Sequence, residues 1–180
     1  MTEQQEASED AVMTRIGQAV ILLHAGDREE ARNRLAELWA ELGEDGDGLH
    51  RCTLAHYLAD AQDDPADELA WDLRALIAAD GLEERSTRPP ESAEPEPGQP
   101  YRAVRVFYPS LHLNLATDYV KLRRPEAARV HLARARAATA ALADDGYGNG
   151  VRAAIARLER RLAQEPGAQD GPGPFPEQSP

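Results

Sequence analysis

Hydrophobic residues recur at intervals of three and four along most of this chain, a spacing that predicts amphipathic helices. The first predicted helix covers 11–25 and stops at Gly26, a residue suited to a left-handed position. Asp27 suits the N-cap of a second helix, which ends at Gly43. The same pattern predicts five further helices at 49–61, 65–79, 109–122, 125–143 and 150–164. The chain is therefore predicted to be all-α.

Two stretches lack this periodicity. Residues 83–100 combine Pro, Ser and Glu, and residues 165–180 are rich in Pro and Gly. Neither stretch can bury enough apolar surface to offset the loss of chain entropy on folding, so both are predicted to be disordered. With a flexible N-terminus at 1–10, this leaves one helical domain over 11–164 that contains the insert. The sequence DDGYGNG at 144–150 is predicted to be a turn before the last helix.

An internal repeat relates the first pair of helices to the third. When Ala19 is aligned with Ala116, Ala31 falls opposite Ala128. Ala55 takes the same place in the middle pair, 36 residues after Ala19 and 61 before Ala116. Helix axes pack about 8–10 Å apart, and the closest crossings need small side chains. We therefore expect these alanines to lie where neighbouring helices cross.

The stretches AVILLHAGDREEARNRLAEL and LATDYVKLRRPEAARVHLARA resemble the tetratricopeptide repeat family, whose unit has about 34 residues. In both stretches a tight turn separates two helices, and Gly26 of the first aligns with Arg123 of the second. The resemblance implies a tetratricopeptide-like α-solenoid of three antiparallel helix pairs with a C-terminal capping helix. The chain departs from the family at Arg15 and His112, where a bulky aromatic residue is typical.

The balance of charge restricts the classes of partner. A net charge of −12 disfavours nucleic-acid binding, because phosphate contacts need clustered Lys and Arg. The charge is uneven: residues 121–161 contain ten Lys/Arg and four Asp/Glu, a net of +6, so the remainder carries −18. No hydrophobic run reaches the roughly 18 residues of a membrane span. The single cysteine and the polar N-terminal sequence favour a cytoplasmic protein.

Cys52, His56 and Asp60 are the most suggestive chemical group, since their spacing of four places them on one helix face. Three ligands in a row on one helix are too far apart to converge on a metal ion. A Cys52–His56 nucleophile is disfavoured because its surroundings are acidic and no third orienting group is evident. We therefore predict no catalytic residue, no metal and no cofactor, and a metal-binding or enzymatic protein is the remote alternative.

In the tetratricopeptide family, the first helix of each pair lines a binding groove. The resemblance implies a groove lined by Met13, Ile16, Val20, Leu23, Cys52, His56, Asp60, Leu113, Thr117, Val120 and Lys121. Ile16 and Val20 stand where the family's carboxylate clamp has polar residues, so that clamp is not expected. A largely apolar groove suits an amphipathic helix or an extended segment, and residues 101–108, YRAVRVFY, are an internal candidate to fill it.

These observations predict a non-catalytic adaptor that binds a protein or peptide through a helical-repeat groove. The alternative is a self-associating structural module. In that module, the basic region 121–161 of one copy would dock on the acidic N-terminal half of another, giving a homodimer or a longer head-to-tail assembly.

Overall fold

Every regular element in the described part of the chain is helical. The computed structural model describes residues 3–87 and 105–164, with side chains for 11–84 and 105–164. The helices are α1 (Glu3–His24), α2 (Arg28–Leu42), α3 (Gly48–Asp60), α4 (Pro65–Thr87), α5 (Tyr108–Lys121), α6 (Pro125–Ala138) and α7 (Gly146–Gln164), with a 3-10 turn at Thr139–Ala141. The predicted all-α class is confirmed over these residues.

Helices extend into segments that were expected to be irregular. α1 begins at Glu3, so most of the predicted flexible N-terminus at 1–10 is helical. α4 continues to Thr87, so 83–87 of the predicted insert is helical as well. Both extensions contain several Glu residues, which are strong helix formers without contributing to an apolar period. Residues 88–100 of the insert and the predicted tail at 165–180 lie outside the described residues.

The predicted turn at 144–150 is also largely helical, because α7 begins at Gly146. Asp145 explains this early start: its Oδ1 accepts a hydrogen bond from the Gly148 N–H at 2.8 Å. Its carbonyl oxygen accepts another from the Asn149 N–H at 3.0 Å. The first bond satisfies a donor that a helix start leaves free, the second is the first backbone bond of the helix, and together they offset the poor helix propensity of the glycines. Before this turn, α6 ends at Ala138, earlier than predicted.

The first and third helix pairs share one turn geometry. Gly26 and Arg123 both have a positive φ, 93° and 56° respectively. In each turn the next backbone N–H bonds to the carbonyl five residues earlier, at 3.0 Å in the first pair and 2.8 Å in the third. The alignment of Gly26 with Arg123 is thereby confirmed. The middle turn, residues 61–64, has one residue more than 25–27 and no positive φ.

Replacing Arg123 with Gly is expected to stabilise the chain by about 1 kcal/mol, because a side chain in the left-handed region costs roughly that amount. Arg123 is exposed, so little packing is lost. Urea unfolding of the full chain measures the change. Arg124→Gly is the matched control, since Arg124 has a φ of −114° and should gain nothing. An Arg123→Gly variant that unfolds at lower urea than the wild type would contradict the prediction.

Each helix packs against the next one along the chain. α4 packs against α5 across the residues that are not described, and α1 also contacts α3 while α5 contacts α7. Ala19, Ala31, Ala55, Ala116 and Ala128 are all fully buried. The expectation that these small residues face neighbouring helices rather than water is confirmed.

Replacing Ala128 with Leu is expected to destabilise the chain by about 1–3 kcal/mol through overpacking. Ala128 shares a core with Leu132 of its own helix and with Ile155 of α7, which leaves no open space for a larger side chain. Thermal unfolding measures the loss. Ala133→Leu on the exposed side of α6 is the control, and a melting temperature equal for both variants would show that Ala128 is not at a tight contact.

Candidate functional site

The predicted groove residues divide between core and surface. Ile16, Leu23 and Cys52 are buried in apolar cores between helices, so their assignment to an open groove is wrong. On α1, Ile16 and Leu23 are seven residues apart, which places both on one side of that helix, and this side packs inward. The remaining predicted residues are partly or fully exposed, namely Met13, Val20, His56, Asp60, Leu113, Thr117, Val120 and Lys121.

Three of these exposed residues meet at a polar cluster between α3, α4 and α5. His56 and Asp60 come from α3, and Lys121 comes from α5. The fold adds four residues that the sequence did not single out, two from α4 and two from α5. We call the whole group the acid cluster; its members are His56, Asp60, Glu68, Asp72, Asn114, Asp118 and Lys121.

Two aspartates form the floor of the acid cluster. Asp72 is 2% exposed and Asp118 is 1% exposed. Each lies three residues after a buried leucine, Leu69 on α4 and Leu115 on α5, so helix geometry turns it towards the interior. Among the described residues, Oδ1 of Asp72 and Oδ2 of Asp118 receive no hydrogen bond from an N–H or hydroxyl donor. Two buried carboxyl groups therefore lie side by side without conventional partners.

The surroundings of Asp118 favour its protonated form. Burial is the main reason that the pKa of Asp118 is raised to about 8; the negative charges of Asp72 and Glu68 act in the same direction, and the charge of Lys121 opposes them. The neutral acid form of Asp118 is therefore favoured at neutral pH, and in that form its hydroxyl can donate a hydrogen bond, whereas an ionised carboxylate only accepts.

Lys121 connects this floor with the surface. Its Nζ lies 2.5 and 2.6 Å from the two carboxylate oxygens of Glu68. The same ammonium is 3.6 Å from Oδ1 of Asp118. Because the Lys121 side chain is 41% exposed, its alkyl chain runs from solvent to a buried carboxyl group. The cluster is therefore accessible to an ammonium group on a flexible chain.

His56 lies between the rim and the floor. Its Nδ1 is 3.1 Å from the Asn114 amide nitrogen and 3.9 Å from Asp72 Oδ1, while its Nε2 is 3.8 Å from Asp60 Oδ2. Burial disfavours the charged imidazole, but the neighbouring carboxyl groups of Asp72 and Asp60 outweigh it, so the pKa of His56 is raised. Burial also raises the pKa of Asp60. The carboxyl groups of Asp60 and Asp72, on opposite sides of the ring, therefore both favour the charged form of His56.

The sequence contained a usable signal for the two missed aspartates. Leu69, Asp72 and Ala75 share one face of α4, and two of the three are apolar. An acidic residue within an apolar helical stripe is rare, because burying a carboxyl group carries a desolvation cost. Asp118 stands in the same relation to Leu115 on α5. A search of both apolar helix faces for acidic residues would have identified Asp72 and Asp118 as buried carboxyl groups.

Cys52 does not take part in this chemistry. The side chain is 4% exposed, and burial, with a further contribution from the charge of Asp72, raises the pKa of the thiol to about 12. The thiol is therefore protonated at neutral pH. The described residues also contain no group of three or more His, Cys, Asp or Glu arranged to hold a metal ion.

The predicted covering segment at 101–108 is described only from residue 105 onward. Val106 packs against the core of α5, α6 and α7. The Tyr108 hydroxyl lies 2.8 Å from Asp80 Oδ1 and 3.0 Å from Glu83 Oε2, near the end of α4. These contacts are at the opposite end of the α4–α5 pair from Lys121, so residues 105–108 do not cover the acid cluster.

Within the described ranges, no helix combines the length and the apolar character needed to cross a bilayer. Comparison of the chain with protein-family models, with curated proteins and with solved structures finds no match.

Proposed function

We propose that this chain is a non-catalytic adaptor that binds a protein or peptide through a face formed by α1, α3 and α5. A tetratricopeptide-like stacking of helix pairs is part of this proposal. Its support is that α1 contacts α3, and that His56 of α3 contacts Asn114 of α5. The three helices present partly exposed apolar and polar side chains, such as Val20, Thr117 and Val120, and such a mixed surface suits an amphipathic helix or an extended segment.

The acid cluster is the observation that carries the proposal. A buried polar atom without a partner costs about 1–3 kcal/mol, and the floor of the cluster contains two such atoms, on Asp72 and Asp118. Apolar side chains at these positions would pack the helices without that cost. A buried polar group that is retained at the expense of stability is typical of a binding site, where an incoming group supplies the missing contact.

Selection of random peptides against the immobilised full chain tests the proposal. We expect peptides to be enriched and their binding to be strongly weakened by Thr117→Arg, which places a long side chain on the α5 surface. Asn33→Arg on the exposed side of α2 is the matched control and should bind normally. No enrichment, or equal binding by both variants, would overturn the proposed function.

Self-association is the second candidate, and the distribution of surface charge favours it. Glu29, Glu37 and Glu41 are exposed on α2, whereas Arg157 and Arg160 are exposed on α7. Opposite charges at the two ends of the chain suit head-to-tail contacts between copies. Light scattering at low and high salt tests this candidate. Dimers that form with concentration and dissociate with salt would support it, and a monomer at every concentration would eliminate it.

We place the proposed adaptor in the cytoplasm. The support for this location is that Cys52 is a free, buried thiol, as expected in a reducing compartment.

A further inference from the structure

We propose that the acid cluster binds the ammonium or guanidinium group of a Lys or Arg side chain presented by the partner, which donates to the buried oxygens of Asp72 and Asp118. The inference rests on the proposed function, because it names the chemistry that the partner brings to the face of α1, α3 and α5.

The first support for this inference is that the acid cluster contains more carboxyl groups than positively charged groups. The cluster contains four carboxyl groups, those of Asp60, Glu68, Asp72 and Asp118, and one ammonium group, that of Lys121. That ammonium is held by Glu68 at 2.5–2.6 Å and is 3.6 Å from Asp118, so most of its charge is already paired. A second cation would therefore enter a site whose carboxylates are only partly neutralised.

The unpaired oxygens of the floor are the second, independent support. Asp72 and Asp118 are each at least 98% buried, and each has one oxygen without a donor among the described residues. An ammonium carries three N–H donors and a guanidinium carries five. Either group can donate to both oxygens at once, which neither Lys121 nor Asn114 does in this structure.

The rim provides a path for such a group. Lys121 shows that an ammonium on an alkyl chain reaches Asp118 from the surface. Asp60 is 45% exposed and offers a first contact for an approaching cation, while His56 is one-third exposed and stands between Asp60 and Asp72. Rotation of the His56 ring away from Asp72 would open the floor to the incoming side chain.

The exchange balances in charge. One cation enters, and one proton passes from the Asp118 carboxyl group to solvent water, so that its O–H bond is the only protein bond that breaks. The charged groups facing the pair are His56 and Asp60 from α3, Glu68 from α4 and Lys121 from α5. On the other side of α5, the titratable group that α6 brings close is His131, which stacks on Tyr119 and contacts His112. The pKa of His56 is raised, and loss of its proton as the pH rises favours cation binding in the same direction.

Titration of the full chain with n-butylammonium or n-butylguanidinium chloride tests the site itself. Nuclear magnetic resonance of the Asn114 side-chain amide and of the Asp72 and Asp118 carboxyl carbons would report binding. We expect saturable shifts with both cations and none with n-butanol, the neutral probe of the same length. At pH values where Asp118 is still protonated, the affinity for either cation should rise by about tenfold per pH unit. Equal shifts with n-butanol, or an affinity independent of pH, would overturn the inference.

Two variants separate binding from folding. Asp118→Asn keeps the shape of the carboxyl group but cannot ionise, and it should lose at least tenfold in cation affinity together with the pH dependence. Glu37→Gln on the exposed side of α2 is the control and should bind as the wild type does. Circular dichroism verifies that both variants are folded, and Asp72→Asn replaces Asp118→Asn if the latter is not. A folded floor variant with wild-type affinity would overturn the inference.

The cation titration and the peptide selection can fail independently, so the two proposals can be distinguished. If peptides are enriched but neither cation binds, the cation exchange fails and the proposed function stands. If both cations bind but no peptide is enriched, the proposed function fails and the cluster is a site for a free organic cation.

Discussion

Replacing Asp118 with Asn is expected to stabilise the chain at about pH 8 by roughly 3 kcal/mol and to change its stability little at about pH 4. The native structure holds a proton on Asp118 up to a pKa of about 8, whereas the unfolded chain releases it near 3.8. Between these values the folded state binds more protons than the unfolded state, so stability falls as the pH rises. Asparagine removes this dependence because it stays neutral.

The size of the effect is limited by contacts that the substitution also changes. The full shift in pKa would correspond to a larger stabilisation, but an asparagine side chain lacks the attraction of the Asp118 carboxylate to Lys121, 3.6 Å away. The new amide can donate a hydrogen bond at every pH, whereas the Asp118 carboxyl group can donate only while it is protonated. About half of the full value is therefore expected.

Urea unfolding over a series of pH values measures this prediction. Asp63→Asn is the control of opposite sign: hydrogen bonds from Arg32, together with the charges of Arg32 and Arg28, lower the pKa of Asp63, so its carboxylate stabilises the fold above its unfolded pKa. That variant should be slightly less stable at pH 8. If Asp118→Asn were destabilising at pH 8, the native structure would not be raising the pKa of Asp118.

Local features of the chain were predictable because their causes are local. Gly26 marks a turn through its own conformational freedom, and Asp27 accepts a bond from the Glu30 N–H as the capping pattern predicts. The buried alanines followed from a repeat of small residues on one helix face. Pro65 and Pro125 open their helices because proline lacks the donor that a first turn leaves unused.

The acid cluster was not predictable in the same way, because it depends on which helix covers which face. Ile21 and Asp118 occupy the same position in the aligned repeat, yet Ile21 is 68% exposed and Asp118 is 1% exposed. α4 packs against α5 and covers Asp118, whereas no described helix precedes α1. The α4–α5 contact joins helices separated by residues 88–107, and periodicity within either helix does not reveal it. His56, Asp60 and Lys121 were found as surface residues, but their common neighbours were not.

Two glycines at the start of α7 are expected to respond to alanine in opposite directions. A Cβ on Gly148 would lie 2.1 Å from the carbonyl oxygen of Ala143, which is backbone and cannot rotate away. Gly148→Ala must therefore shift the chain between α6 and α7, at a cost of about 3 kcal/mol. A Cβ on Gly150 meets nothing within 4 Å, so Gly150→Ala should stabilise the helix by about 0.5–1 kcal/mol.

The two variants can be compared directly, because Gly148 and Gly150 lie in the same helix and both are replaced by alanine. Loss of backbone flexibility favours alanine at both positions, so any destabilisation of Gly148→Ala relative to Gly150→Ala reports the contact with Ala143. Urea unfolding of both variants gives the difference, about 4 kcal/mol by the values above. Equal stabilities would mean that α7 does not begin at Gly146, and that residues 144–150 form the open turn that their glycine content first suggests.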